Sequence, residues 1–317
     1  MSEAAPPATR RPTLAHRLEY AALRVASAIF GAVSFARAGA IGARIGAFGY
    51  RPLGIRRRVV ERQIAAAFPE MSEARVHETA RAAYAHLGRV TAETAHMSSR
   101  GAAYLHEVFT PEVDGWDAFA AAREGGRGVM VVAAHLGNWE LGGAYIAAYG
   151  KLRMEAVARH MSNPLADRYF TATRLRLDVN VVYDDQAVRQ TPRALRAGHV
   201  VGFLVDQGVL GLASTFVPFF GRPAKTPRGP AVFAIRMGLP LFFAVALRQP
   251  DGRYRLSLQE VPVANTGDRE ADVDATVAAY TRVIEDWVRR APGQYFWHHR
   301  RWRRQPPDTP PELREPR

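Results

Sequence analysis

The chain has 317 residues, 48% of them hydrophobic and 23% charged, a composition that suits a globular body and excludes wholesale disorder. It has no cysteine, which excludes disulfides, thiolate metal sites and cysteine nucleophiles. The formal net charge is +13, so the expected partners are anionic: nucleic acid, phospholipid or an acidic substrate.

The charge is unevenly placed. Residues 1–70 carry 11 Arg against 4 Asp and Glu, and residues 289–317 carry 8 against 3. The stretch between them is close to neutral. Residues 1–12 read as a disordered tail. Residues 18–50 are rich in Ala, Gly, Ile, Val and Phe, but Arg24, Arg37 and Arg44 interrupt them. The longest uncharged run, 25–36, has 12 residues, against about 20 needed to span a bilayer. Two readings fit. One is an interfacial helix with Leu23, Phe30, Phe35, Ile41 and Phe48 among its apolar residues and Arg56, Arg57, Arg58 and Arg62 extending a basic face. The other is a helix pair packed on the core, with Gly39, Gly42, Gly46 and Gly49 allowing close approach.

Helices follow at 54–68 and 72–98. In the second, Val76, Ala80, Ala83, Leu87 and Val90 recur at helical spacing, and Ser72 is the N-cap. A short helix is expected at 115–123. The texture then changes. Apolar runs at 129–134, 152–158, 179–183, 200–205 and 239–247 read as strands. Helices at 138–149, 164–177, 187–197 and 228–238 separate them. This alternation predicts an α/β fold with a mostly parallel central sheet flanked by helices. Residues 254–258 suggest an added edge strand, and 268–291 a long helix. The expected organisation is a helical membrane-associating region at 13–110, an α/β domain at 111–305 and a second disordered tail at 306–317.

No Gly-x-Ser-x-Gly elbow, phosphate loop, Gly-x-Gly-x-x-Gly or His-Glu-x-x-His is present, which argues against the enzyme classes that depend on them. Instead an apolar strand runs straight into His135. Gly137 permits a tight turn, Asn138 can cap the next helix, and Glu140 falls in its first turn. Across such a strand–turn–helix junction the two side chains can meet. A carboxylate on one imidazole nitrogen fixes the tautomer and raises the basicity of the other. The bland alternative is a turn histidine and a solvated helix acid.

Further along, Arg159 ends a strand, Asn163-Pro164 starts a helix, and Arg174 follows on it. The two arginines suit a phosphate clamp, although Arg174 also reads as a surface charge. Asp206 ends another strand and serves either a site or a structural ion pair. Thr226-Pro227 reads as a helix start whose amides, with Lys225 and Arg228, suit an anion. Phe219 and Phe220 line a groove or fill the core. In residues 295–304, aromatics interleave with arginines, as in single-strand nucleic-acid binders or membrane interfaces.

In order, His135-x4-Glu140, Arg159…Asn163-Pro164…Arg174, Asp206, Val217-Pro-Phe-Phe-Gly221…Thr226-Pro227…Gly229-Pro230 and Trp297-x-His-Arg-Arg301 resemble the bacterial lipid A biosynthesis (lauroyl/myristoyl) acyltransferase family. That family lies within the glycerolphosphate-acyltransferase-like lysophospholipid acyltransferases. The resemblance covers roughly residues 15–305. It implies that residues 111–305 form a catalytic domain. The reaction would move a fatty acyl chain from acyl carrier protein or coenzyme A to a hydroxyl of a lipid A precursor or a related glycolipid or lysolipid. His135 and Glu140 would be the catalytic pair, with Arg159, Asn163, Arg174, Asp206, Thr226 and Arg300 binding substrate. The oxyanion would be met by the Gly137–Asn138 amides or Arg159. No metal or resident cofactor is expected, and no nucleic-acid partner. The expected place is the cytoplasmic face of the bacterial inner membrane. Gly208 departs from the family pattern, standing where members that acylate lipid A commonly carry a second acid. Two other functions remain: a basic binding protein without chemistry, and an acyl-thioester hydrolase.

Overall fold

The computed structural model describes residues 11–208 and 211–316. All but two residues of the expected N-terminal tail lie outside them. Four helices come first: α1 (Leu14–Gly31), α2 (Phe35–Tyr50), α3 (Arg57–Ala67) and α4 (Glu73–Met97). Thr13, Ser34 and Ser72 cap α1, α2 and α4 by accepting from third-residue amides, and Ser72 matches the expectation. Two short helices follow, α5 (Leu105–Val108) and α6 (Trp116–Ala121). The chain then alternates: β1 (Val129–Ala133), α7 (Trp139–Gly150), β2 (Met154–Ala158), α8 (Pro164–Arg176), β3 (Val179–Tyr183), α9 (Ala187–Arg196) and β4 (Val200–Leu204). A hairpin comes next, β5 (Ser214–Phe219) and β6 (Arg222–Pro227). After it lie α10 (Gly229–Met237), β7 (Leu241–Arg248), β8 (Tyr254–Val261) and α11 (Arg269–Arg290).

The main sheet has the order β3-β2-β4-β1-β7-β8. All pairs are parallel except β7 with β8, so the fold is α/β, as expected. β1 is apolar throughout because it is covered on both faces. Val129 and Val131 face one core, with Leu141, Ile146 and Phe242. Met130 and Val132 face the other, with Val60, Ile64, Val277 and Trp297. That second core runs without a break from α3 and α4 into the sheet.

The N-terminal helices pack on the core, as the second reading expects, and leave a set of apolar side chains exposed. α2 packs on α4 so closely that a Cβ at Gly46 would lie 2.0 Å from the Tyr84 carbonyl oxygen, and one at Gly42 2.3 Å from that of Gly88. Phe35, expected on the membrane face, is instead buried edge-on against His96. Leu14, Leu18, Val25 and Ile29 of α1 and Ile41, Ile45 and Phe48 of α2 are exposed. Among the described residues no helix is long and apolar enough to cross a membrane.

Two expectations need correction. Thr226 and Pro227 do not start a helix; they end β6, and α10 begins at Gly229. The 306–316 segment is not a loose tail. The Arg222 guanidinium donates to the Glu312 and Arg314 carbonyls, and Gln305 holds both the Leu313 carbonyl and the Glu315 amide. Of the aromatic and basic residues at 295–304, Trp297, Trp302 and Arg301 are buried.

Candidate active site

β1 and β4 are neighbours in register, Val129 opposite Val200 through Ala133 opposite Leu204. Two residues further along each strand stand His135 and Asp206. This is the C-terminal edge of the parallel strands, where open α/β sheets bind ligands. The Asp206 carboxylate accepts twice from His135: from its backbone amide at 3.0 Å and from Nδ1 at 2.8 Å. The bond to Nδ1 fixes the tautomer and leaves Nε2 as the basic nitrogen. Asp206 is only 3% exposed and His135 19%. Burial disfavours the imidazolium, yet the Asp206 carboxylate, and then Glu140, hold His135 above the usual histidine pKa. Burial would likewise raise Asp206, but His135 and then Arg301 hold it below the usual carboxylate range.

The turn after His135 is locked from three sides. The Gly137 amide donates to the Gln294 carbonyl at 3.0 Å, and the Asn138 amide to the Ala246 carbonyl at 2.9 Å. The buried His86 of α4, its pKa lowered by burial to about 4, is neutral and donates Nε2–H to the Gly137 carbonyl at 3.1 Å. Gly137 has φ +62°, and a Cβ there would lie 2.0 Å from the Ala246 oxygen, so only glycine fits. Asn138 caps α7, as expected, by accepting from the Leu141 amide.

Glu140 lies in the first turn of α7, but it does not touch the imidazole. It takes a bidentate pair from Arg174 of α8, at 2.9 and 2.6 Å. The expected His135–Glu140 bond is thus replaced by His135–Asp206, and Glu140 acts on His135 through space. Beside the dyad opens a cavity of about 620 Å³. Val157, Phe170, Val188, Phe203 and Leu212 give it apolar walls, and His135, Trp139, Glu140, Arg159, Arg174 and Gln207 stand among its lining. The Gln207 amide nitrogen lies 3.5 Å from His135 Nε2.

The sequence model of the bacterial lipid A biosynthesis acyltransferase family matches residues 12–304. The chain belongs to this family. It is 29% identical over 276 residues to the lipid A biosynthesis lauroyltransferase of Escherichia coli K12, covering 85% of this chain and 86% of the relative. It is 29% identical over 270 residues to the palmitoleoyltransferase of the same organism, covering 84% and 85%. A lipid A biosynthesis acyltransferase of Haemophilus influenzae is 26% identical over 189 residues, 59% of each chain. The protein is therefore an acyltransferase.

Several expected site residues of this acyltransferase have other work. Asn163 caps α8 through its oxygen and ties it to α1 through its nitrogen, which donates to the His16 carbonyl and Glu19. It does not line the cavity. Arg300 is paired with Glu315 at the surface. Its neighbour Arg301 is the inward one: buried, it donates to the Lys225 carbonyl and the Thr226 hydroxyl, both at 2.6 Å. Thr226 is buried under that bond, away from the cavity. Arg159 reaches the cavity with its Nε on Asp184 at 2.8 Å, so neither Arg159 nor Arg174 is an unengaged phosphate clamp. The Gly137 and Asn138 amides are spent and cannot serve an oxyanion. Arg228 pairs with Glu270 and Asp274. Phe219 and Phe220 pack in the core. Among the described residues no three His, Asp or Glu side chains group as metal ligands. Gln207 and His86 are not among the sequence candidates, and Arg301 enters only as the last residue of the Trp297-x-His-Arg-Arg301 element, with Arg300 taken as the binding residue; for Gln207 the one signal is the apolar run that aims 206–207 at the sheet edge.

Proposed function

We propose that this acyltransferase moves a fatty acyl chain from acyl carrier protein or coenzyme A to a hydroxyl of a lipid A precursor or related glycolipid, with His135 as general base. The observation that carries the reading is the His135–Asp206 dyad at the mouth of an apolar cavity. The acceptor hydroxyl gives its proton to His135 Nε2 as its oxygen bonds to the thioester carbonyl carbon. The tetrahedral intermediate collapses, the carbon–sulfur bond breaks, and the thiolate takes the proton back from His135. Asp206 stabilises the imidazolium formed between these steps. Gln207, 3.5 Å from His135 Nε2, and the Trp139 and Glu140 amides of the first turn of α7, where the helix dipole favours negative charge, supply donors for the oxyanion. Glu140, held by Arg174, adds a fixed negative field. The acyl chain lies in the cavity.

The relatives' names place their acyl transfer on lipid A, and the same acceptor class is the reading for this chain. The exposed apolar faces of α1 and α2, set among arginines, support work at the cytoplasmic face of the inner membrane as a peripheral protein. The test is product mass analysis with acyl carrier protein and coenzyme A thioesters, each with and without a lipid A precursor. Acceptor-dependent acylation is expected, and His135→Ala should lower it by about 10² to 10⁴. Free fatty acid released equally without acceptor identifies a hydrolase instead.

A further inference from the structure

A second cavity, of about 540 Å³, lies on the far side of α8 from the acyl cavity. It sits between α1, α8 and the end of α4. Arg24, Arg168 and Arg176 line it, with Tyr20, Tyr169 and Ser27. Ser27 is 6% exposed, and its hydroxyl has no hydrogen-bond partner. A buried hydroxyl left unpaired inside an arginine-lined cavity is a donor waiting for an acceptor. Among the described residues Arg168 and Arg176 have no ion-pair partner, and Arg24 bonds only the Tyr20 hydroxyl at 3.1 Å.

The nearby carboxylates are spent elsewhere. Glu19 accepts from Asn163 at 2.9 Å, and Asp167 from Tyr183 at 2.9 Å and His160 at 3.2 Å. The carbonyls at the end of α4, which would repel an anion, are covered: Ser98 donates to the Ala95 oxygen and Ser99 to that of His96. The cavity is therefore lined by three arginines and a free hydroxyl, with no acid among its lining residues. That chemistry fits a phosphate ester.

The source of the phosphate follows from α1. Tyr20, Arg24, Ser27 and Ala28 face the cavity. Leu14, Leu18, Val25 and Ile29 form an exposed stripe. At roughly 100° per residue the two sets occupy adjoining faces of one helix. A ligand with phosphate and acyl chains joined matches that pattern. We propose that the cavity holds the phosphate of one anionic phospholipid headgroup while the α1 stripe lies among the acyl chains. The proposal rests on the membrane-surface reading for its ligand, not on the transfer chemistry.

The test is sedimentation with phosphatidylcholine vesicles, with and without phosphatidylglycerol. Arg168→Gln with Arg176→Gln should lower the phosphatidylglycerol-dependent binding roughly 30-fold, about fivefold per arginine. Ala172→Trp fills the cavity from exposed α8 without changing charge and should lower it too. Arg193→Gln with Arg196→Gln on α9, the same charge change elsewhere, should have little effect. All three should keep the wild-type unfolding temperature and bind pure phosphatidylcholine as wild type does. If Ala172→Trp binds phosphatidylglycerol normally, or the α9 pair loses as much, the attraction is diffuse charge and there is no headgroup site. Calorimetric titration with inorganic phosphate and coenzyme A separates the sources. Saturable binding of either, abolished by Ala172→Trp while vesicle binding is untouched, overturns the lipid assignment. Loss of binding to both vesicle types in wild type overturns the membrane reading itself.

Discussion

Asp206→Asn tests the base directly. His135 works only when neutral, so the rate falls as pH drops through its pKa. Asp206 raises that pKa above the usual histidine value, so the acid limb of kcat/KM should lie above about 6.5 in the wild type. Asn at 206 removes the anion. The plateau should fall by about 10² to 10⁴, and the limb should move to lower pH. Glu140→Gln, acting through space, should move it less. A limb that stays put in Asp206→Asn would show that another group titrates. Both partners were visible in the sequence as strand-end residues, but their pairing was not. Glu140 is five residues from His135 and within sight of it; Asp206 is 71 residues away and meets it only through the β1–β4 register. Arg174 then removes Glu140 as a contact, and no spacing rule shows that.

Element boundaries were largely legible where burial dictates pattern. The apolar runs of β1 to β4 and β7, and the capped helices α4, α7 and α8, lie close to where the sequence puts them. The β5–β6 hairpin was not. Pro218 stands opposite Pro223 in it, which a two-stranded ribbon tolerates and a central strand does not, so the prolines read as helix and loop signals. The α2–α4 contact makes a sharp test. Gly46→Ala drives a methyl onto the Tyr84 carbonyl and should destabilise by about 1–3 kcal/mol, read as a lower unfolding temperature. A second test lies deeper in α4. Glu93 is 0% exposed and accepts from the Tyr254 hydroxyl; burial raises its pKa to about 7. Below the unfolded value of about 4.5 both states are protonated. Above it the unfolded chain ionises first, so this group's contribution to stability falls as pH rises, until the folded state ionises near 7. The unfolding temperature of Glu93→Gln relative to wild type should therefore climb from about pH 5 to pH 8. A difference that is flat with pH removes Glu93 as the titrating group.

At the scale of the molecule the two basic ends do different things. The C-terminal arginines turn partly inward: Arg301 is buried and donates to the Thr226 hydroxyl, and Arg300 meets Glu315. Sequence charge alone cannot tell a solvated arginine from one folded into a core. The N-terminal end keeps its charge outside, beside apolar side chains that no described residue covers. Leu18 and Ile45 are 64% and 59% exposed. Transfer of each into an apolar medium is favourable by about 1.5–3 kcal/mol at full burial, so roughly tenfold in partition per residue is the scale to expect. Leu18→Gln with Ile45→Gln should leave folding intact, since neither side chain packs on the core. It should weaken vesicle binding about 100-fold, while the remaining binding keeps its salt dependence, because the arginines are untouched. Transfer to an acceptor embedded in vesicles should fall in parallel, and transfer to a detergent-dispersed acceptor should not. If the double variant binds vesicles like the wild type, the anchor lies elsewhere, and the uncovered faces of α1 and α2 await a protein rather than a bilayer.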